Sequence, residues 1–287
     1  MTSFSILLPA YNEELAIAPV LQSLKRLYPS AEIIVIDDGS TDRTAATARG
    51  EGAIVLKHPA NAGYGKSVKD GILAATNDVI VLADADGSYA PENIATLLQK
   101  FEEGFDMVVG ARSGKYYRGS FFKMPARLLL KWLVEFTTGR HIPDINSGLR
   151  IFRKSAAIPY FPDLCQGFSF TTTITLIFLL TGKFVTYVPA AYLKRVGHSK
   201  VRILRDSLRT LQYVTEVIAT YNPLKLFILM TGCLAAVSVA CVVGFLIVSD
   251  PFFLLLSSIF LMGAVLVFGM GLLAFRLKRS DPFHERA

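Results

Sequence analysis

Cysteine is scarce, and its scarcity excludes two kinds of protein at once. The chain has three cysteines in 287 residues. Cys233 and Cys241 lie in one uncharged apolar stretch and Cys165 stands alone, so neither a disulfide framework nor a Cys/His zinc spacing is available. That usage fits a reducing compartment. Histidine is also rare, four in all. His58, His141 and His284 are isolated, and neither a His-Glu-x-x-His helix nor a Gly-x-Ser-x-Gly elbow occurs, so zinc-protease and serine-hydrolase chemistry have no carrier. The apolar run Phe4–Leu8 leads straight into Asn12-Glu13-Glu14 without a basic start or small-residue cleavage site, so no export signal is expected. Long charge runs are missing too. The net charge of +7 is moderate, and its clustering in amphipathic segments suits anionic lipid rather than nucleic acid.

What is abundant is apolar residue: 52% of the chain, with a mean hydropathy of +0.43. The excess is C-terminal. Residues 226–248 and 252–275 carry no charge, and each run is long enough to cross roughly 30 Å of hydrocarbon as a helix. Ser249-Asp250-Pro251 between them makes a tight hairpin, with Pro251 suited to a first helical turn. Lys225 precedes the first span and Arg276, Lys278 and Arg279 follow the second, whereas the hairpin tip carries only Asp250. The positive-inside rule then places both termini and everything N-terminal in the cytoplasm, in an integral protein of the cell membrane. The expected organisation is a cytoplasmic domain over 1–220 and a two-helix transmembrane hairpin over 224–279.

Residues 4–111 alternate short β-branched runs with helix-period segments. Phe4–Leu8, Glu32–Asp37, Ala53–Lys57, Asp78–Ala83 and Met107–Ala111 read as strands; helices run from about Glu13 to Leu27 and from near Thr41, Tyr64 and Pro91. Such alternation predicts an α/β fold with a parallel sheet covered by helices on both sides. In such sheets ligands bind at the carboxyl ends of the strands. Each strand here is followed by a polar cluster: Pro9-Ala10-Tyr11-Asn12-Glu13, Asp37-Asp38-Gly39-Ser40, Asn61-Ala62-Gly63, Asp84-Ala85-Asp86 and Gly110-Ala111-Arg112. Clusters sharing one rim make one site.

Asp84 and Asp86 are two apart in an extended segment, so both carboxylates can face one side, as hard oxygen ligands for Mg²⁺ or Mn²⁺. Such an ion shares its shell with substrate phosphates and neutralises a departing diphosphate. A carboxylate of Asp37-Asp38 can accept hydrogen bonds from a base or ribose, while the same doublet can also serve a helix N-cap at Ser40 or Thr41.

These clusters, with Ser147-Gly148-Leu149-Arg150 and Gly197-His198-Ser199-Lys200, make residues 4 to about 200 resemble the family 2 glycosyltransferases of the GT-A fold, a Rossmann-like nucleotide-diphospho-sugar transferase domain. The polyprenyl- and dolichyl-phosphate sugar synthases are the members most alike. The resemblance implies that Pro9, Tyr11, Glu13, Ile36 and Asp38 hold the nucleoside, with Asn61 in the donor site. Asp84, Ala85 and Asp86 would meet the diphosphate and metal, and Arg112, Arg127, Lys194 and Lys200 the phosphates. Two positions depart from the pattern: Ser88, carried as the third candidate metal ligand beside Asp84 and Asp86, stands where dolichyl-phosphate mannose synthases often have a metal-ligating Gln, and Lys194 where Arg is expected. By the same resemblance the enzyme is a hexosyltransferase that uses UDP-glucose or GDP-mannose class donors and inverts the anomeric carbon.

The acceptor is read from two amphipathic helices near 121–137 and 199–219. Lys123, Arg127, Lys131 and Glu135 form one charged stripe on the first; on the second, Val201, Leu204, Leu208 and Leu211 oppose Lys200, Arg202, Arg205 and Arg209. Such helices suit a membrane interface, and can equally pack against a second copy in a homo-oligomer. A lipid phosphate is already ionised near neutral pH and needs cations, which Arg112, Arg127 and Lys200 supply, whereas an alcohol needs a base. Asp144 is the nearby carboxylate to consider as that base, or as an organiser of the acceptor loop. Three rivals remain: a processive or glycolipid-hydroxyl transferase, a catalytically dead membrane scaffold, and a P-loop nucleotide hydrolase. The last rests on Ala60 to Ser67, a relaxed phosphate-loop pattern in which Ala60 replaces its first Gly.

Overall fold

The computed structural model describes residues 3–114, 116, 124–196 and 203–279, and of residues 124–127, 203–206 and 279 the backbone alone. The chain forms two compact units, Met1–Val214 and Thr215–Ala287. In order, the elements are β1 (Phe4–Ala10), α1 (Ile17–Leu27), β2 (Glu32–Asp37), α2 (Thr44–Gly50), β3 (Ile54–Lys57), α3 (Tyr64–Ala74), β4 (Val79–Leu82) and α4 (Asn93–Phe101). They continue with β5 (Met107–Ser113), α5 (Met124–Thr138), β6 (Arg150–Arg153), α6 (Lys154–Ala157), α7 (Phe170–Leu180), β7 (Val185–Ala191), α8 (Ile203–Tyr221), α9 (Pro223–Val248) and α10 (Pro251–Arg279).

The first unit is a seven-stranded sheet in the order β3-β2-β1-β4-β6-β5-β7. Strand alternation sends Ile6, Leu8, Val35, Val81, Val108 and Ile151 to one face, where they pack with Leu21 and Leu24 of α1 and Ile94, Leu97 and Phe101 of α4. On the other face Leu7 and Ile36 touch α3, which comes close because Gly71 lacks a side chain.

The sheet departs from the all-parallel expectation at β6, which runs antiparallel to both β4 and β5. β5 therefore joins the sheet through β6 and β7 rather than beside β4. The β4–β6 register pairs Leu82 with Arg150, so two residues further along, Gly148 comes opposite Asp84. Two helices also begin later than the hydrophobic period suggests. Thr41 N–H donates to Asn12 Oδ1 at 2.8 Å, and α2 starts at Thr44, where the Asp42 carboxylate accepts the Thr44 N–H at 2.9 Å. The segment from Glu13 to Ala16 is likewise a turn in which Ala16 and Ile17 N–H donate to Glu13 O, and α1 starts at Ile17.

The second unit contains α9 and α10, both long and apolar enough to cross a membrane. Ser249, at φ +57°, ends α9, and Asp250 Oδ1 accepts the Phe252 N–H at 2.9 Å to start α10 behind Pro251. The two helices pack tightly: a Cβ at Gly271 would strike Phe227, and Ser238 and Ser257 exchange a buried hydrogen bond at 2.9 Å.

Candidate active site

A cavity of about 1150 Å³ opens where β1, β2 and β4 end. Pro9, Ala10, Tyr11 and Glu13 line it at and just beyond the end of β1, Asp38 after β2, Asn61 to Tyr64 after β3, Asp84, Ala85 and Asp86 after β4, and Arg112 near the end of β5. The β1 and β2 loops are stitched together: Asn12 N–H donates to Ser40 Oγ at 2.9 Å and Glu13 N–H to Thr44 Oγ1 at 2.8 Å. The lining is completed by Ser67, Asn146 and Gly148, the 165–169 segment and Thr171, Tyr192 and Arg195 after β7, and Arg209, Gln212 and Tyr213 of α8.

Asp84 and Asp86 are the candidate chemical centre. Burial, then the neighbouring Asp86 carboxylate, push Asp84 up from its ordinary value to about 6, against the opposing pull of Arg112 and Arg195. Tyr64 OH donates to Asp84 Oδ1 at 3.3 Å, and burial together with Asp84 keeps that phenol protonated. Gly148 abuts the same carboxylate so closely that a Cβ there would collide with it. Tyr89 fixes this contact: its OH accepts the Gly148 N–H at 2.9 Å and lies 3.1 Å from Ser147 Oγ, while its ring meets Tyr192 edge-on.

The donor set fits a hard divalent cation. The Asp84 and Asp86 carboxylates face one cavity, the charge of Asp86 disfavouring that of Asp84, and among the described residues no third His, Cys, Asp or Glu completes a protein-only cage. An ion bound there must complete its shell from water or substrate oxygens, as Mg²⁺ and Mn²⁺ do.

Of the other residues expected from sequence, Asp38 lines the cavity but its carboxylate is largely committed to the protein. It accepts Ala62 N–H at 2.8 Å and Gly63 N–H at 2.9 Å, and pairs with His58 Nδ1 at 2.8 Å. Ile36 is fully buried with its side chain against α3 and does not line the cavity. Ser88 is also fully buried and outside the lining; its N–H donates to Asp86 Oδ1 at 3.0 Å and its Oγ has no partner among the described residues. Lys194 is exposed and does not line the cavity, whereas its neighbour Arg195 does. Lys200, Lys123, Arg202 and His198, and the side chains of Arg127 and Arg205, lie outside the described residues.

Asp144 is nearly buried and outside the lining. It takes the Arg112 guanidinium through both oxygens, at 2.7 and 2.8 Å, and the Arg112 and Asn146 N–H groups besides. That arrangement makes it an organiser of Arg112, not a base with an open lone pair facing the cavity.

The stretch Ala60 to Ser67 does not form a phosphate cradle. Its Ala62 and Gly63 amides point at Asp38, the Lys66 amide donates to Gln166 O at 2.9 Å, and Lys66 Nζ binds Asp70 at 2.5 Å. Gly63 and Gly65 instead let α3 approach the backbone of Cys165 and Gln166.

Sequence reasoning missed Tyr64, Tyr89, Asn146, Arg195 and the α8 contribution to the lining. Tyr64 opens α3 directly after the Asn61-Ala62-Gly63 cluster, which was a usable signal. Nothing in the order of Lys194 and Arg195 distinguishes the exposed cation from the one that lines the cavity.

Comparison with known proteins gives concordant results. The profile of glycosyl transferase family 2 matches residues 5–161. An uncharacterized protein of Methanocaldococcus jannaschii is 32% identical over 166 residues, 55% of this chain and 68% of that protein. An undecaprenyl-phosphate 4-deoxy-4-formamido-L-arabinose transferase of Klebsiella pneumoniae is 28% identical over 294 residues, covering 94% of this chain and 86% of that enzyme. Among solved structures, glucosyl-3-phosphoglycerate synthase from Mycobacterium tuberculosis with Mn²⁺, uridine diphosphate and phosphoglyceric acid superposes with a TM-score of 0.62 at 21% identity, over 75% of this chain and 78% of that one. At that identity the likeness concerns the fold, which is GT-A.

Proposed function

The chain belongs to glycosyl transferase family 2, and from that premise we propose that it transfers a sugar from a nucleoside-diphosphate donor to a polyprenyl phosphate at the membrane surface. The observation that carries the reading is the charge pattern of the cavity. Asp84 and Asp86 are met by the Arg112 and Arg195 guanidiniums, Arg209 also lines the cavity, and Asp144 is held by Arg112. Among the described residues no histidine lines the cavity. A site rich in guanidinium groups suits an acceptor that arrives ionised rather than an alcohol that must lose a proton.

In this reading the nucleoside end of the donor lies along Pro9, Tyr11 and Glu13, and its diphosphate reaches Asp84 to Asp86. A bound Mg²⁺ or Mn²⁺ supplies positive charge to the departing diphosphate. Arg112, oriented by Asp144, and Arg195 hold phosphate oxygens of donor and acceptor in line. One acceptor phosphate oxygen forms the bond to the anomeric carbon as the bond from that carbon to the diphosphate breaks. The nucleoside diphosphate leaves with the electron pair, and the configuration inverts.

Support for a membrane-borne acceptor comes from the relative named an undecaprenyl-phosphate transferase and from the exposed apolar surface of two helices. Leu128, Leu129 and Trp132 are exposed on α5, and Leu208 and Leu211 on α8. We place α9 and α10 across the bilayer with Lys225, Arg276 and Lys278 on the cytoplasmic side and Asp250 at the far tip. Offering polyprenyl phosphate and the corresponding free polyprenol to the purified protein tests the acceptor assignment. The phosphate should be glycosylated and the alcohol should not; glycosylation of the alcohol alone would overturn it.

A further inference from the structure

Arg195 lies between two carboxylates of the donor cavity. Its Nη2 donates to Glu13 Oε1 at 3.0 Å, and its Nε sits 3.1 Å from Asp86 Oδ2. Asp86 is nearly buried, and its other oxygen, Oδ1, already accepts the Ser88 N–H at 3.0 Å. Oδ2 is therefore the oxygen most open to a metal ion, and it is the one that Arg195 covers. The second contact is one of charge only. Although Arg195 Nε is shut away from solvent, its N–H makes no hydrogen bond among the described residues. The side chain is 30% exposed to the cavity and only its Nε–H lacks an acceptor, so that N–H retains an unmet demand for an oxygen offered there. Phosphate oxygens meet that demand in the forked geometry that guanidinium groups favour.

Resting on the donor reading above, we propose that Arg195 is a resident counter-cation that competes with the divalent metal for Asp86. A nucleoside diphosphate relieves the competition by drawing the guanidinium onto its phosphates, so metal and donor bind cooperatively through this one side chain. The site then stays guarded against metal alone and fills with metal and nucleotide together. By linkage, the factor by which nucleotide tightens metal binding equals that by which metal tightens nucleotide binding.

The test needs no sugar transfer. Mn²⁺ binding to the full chain in detergent is followed by the loss of the free-ion paramagnetic resonance signal, first with MnCl₂ alone and then with UDP or GDP. Arg195→Ala and Arg195→Gln should bind Mn²⁺ alone about tenfold more tightly than wild type, while Arg195→Lys, which keeps the charge, should bind it as weakly as wild type. The enhancement by nucleotide should shrink by a similar factor in the Ala and Gln variants. The gain should vanish when Asp86→Ala is added to Arg195→Ala. Affinity for Mn²⁺ alone that is unchanged, weaker or undetectable in both neutral variants would overturn the inference, as would a gain that survives Asp86→Ala. Failure of wild type to bind UDP or GDP with Mn²⁺ would instead sink the donor reading, and the metal-alone comparison would still decide the competition.

Discussion

Arg112 and Asp144 form a two-pronged ion pair, with Nε 2.7 Å from Oδ2 and Nη2 2.8 Å from Oδ1. Asp144 is almost entirely enclosed, so the pair is held in place rather than sampled at the surface. Under the proposed function, the carboxylate best placed to have been a base for an alcohol acceptor instead positions a cation available to phosphate oxygens.

Asp144→Asn removes one charge and one acceptor from that pair while keeping the shape. Transfer should fall about 10- to 100-fold, because a loosened Arg112 misplaces the phosphate it holds. The pH–rate profile should keep its acidic limb where it was. Loss of that limb in the variant would show that Asp144 takes a proton in the reaction.

Asp84 carries a signature in metal-free protein. Its folded value of about 6 lies above the ordinary 3.8, so between those values the folded state binds more protons than the unfolded state and this group's contribution to stability declines as pH rises. Asp84→Asn has no charge to bury. Its melting temperature relative to wild type should climb by several degrees as pH increases from about 4 to about 6 and level off above about 7. Mn²⁺ added on top of UDP or GDP should then raise the wild-type melting temperature further and leave the variant unmoved. Parallel melting curves for the two proteins across this range would contradict the assignment.

Gly148→Ala places a methyl group against the Asp84 carboxylate. Displacing that carboxylate should cut transfer more than about 100-fold and weaken Mn²⁺ binding in the presence of nucleotide, with a stability loss of about 1–3 kcal/mol. Steady-state kinetics and thermal unfolding separate the two effects. Near-wild-type turnover would mean that Asp84 need not stay where it is.

Lys66→Ala distinguishes this account from nucleotide hydrolysis by a P-loop enzyme. The side chain is paired with Asp70 and does not line the cavity, so transfer should change by less than about threefold. Collapse of nucleotide binding in this variant, with binding intact in Asp86→Ala, would revive the hydrolase reading.

Much of this site was legible in the sequence because strands that end in polar residues announce a rim. Asp84 and Asp86 after Val79–Leu82, and Pro9 to Glu13 at the end of β1, needed no structure to be grouped. The rest depended on long-range placement. Gly148 meets Asp84 only because β6 runs antiparallel in a set register, and no local pattern states which neighbour a strand chooses. Asp38 looked open to a ribose, yet the fold turns two backbone amides and His58 onto its oxygens. Ile36 follows strand alternation into the core, a parity that sequence gives but motif matching ignores. Arg209, placed on the polar face of its helix from periodicity, proves to line the cavity as well.

The most direct measurement is transfer of radiolabelled sugar from a panel of UDP- and GDP-sugars into solvent-extractable lipid, using purified protein, polyprenyl phosphate and either Mn²⁺ or Mg²⁺. The account predicts labelling from at least one donor that is lost without metal, without the lipid phosphate and in Asp86→Ala. A protein that binds a nucleotide sugar but labels no lipid phosphate from any donor, while glycosylating a glycan or glycolipid hydroxyl, would contradict it.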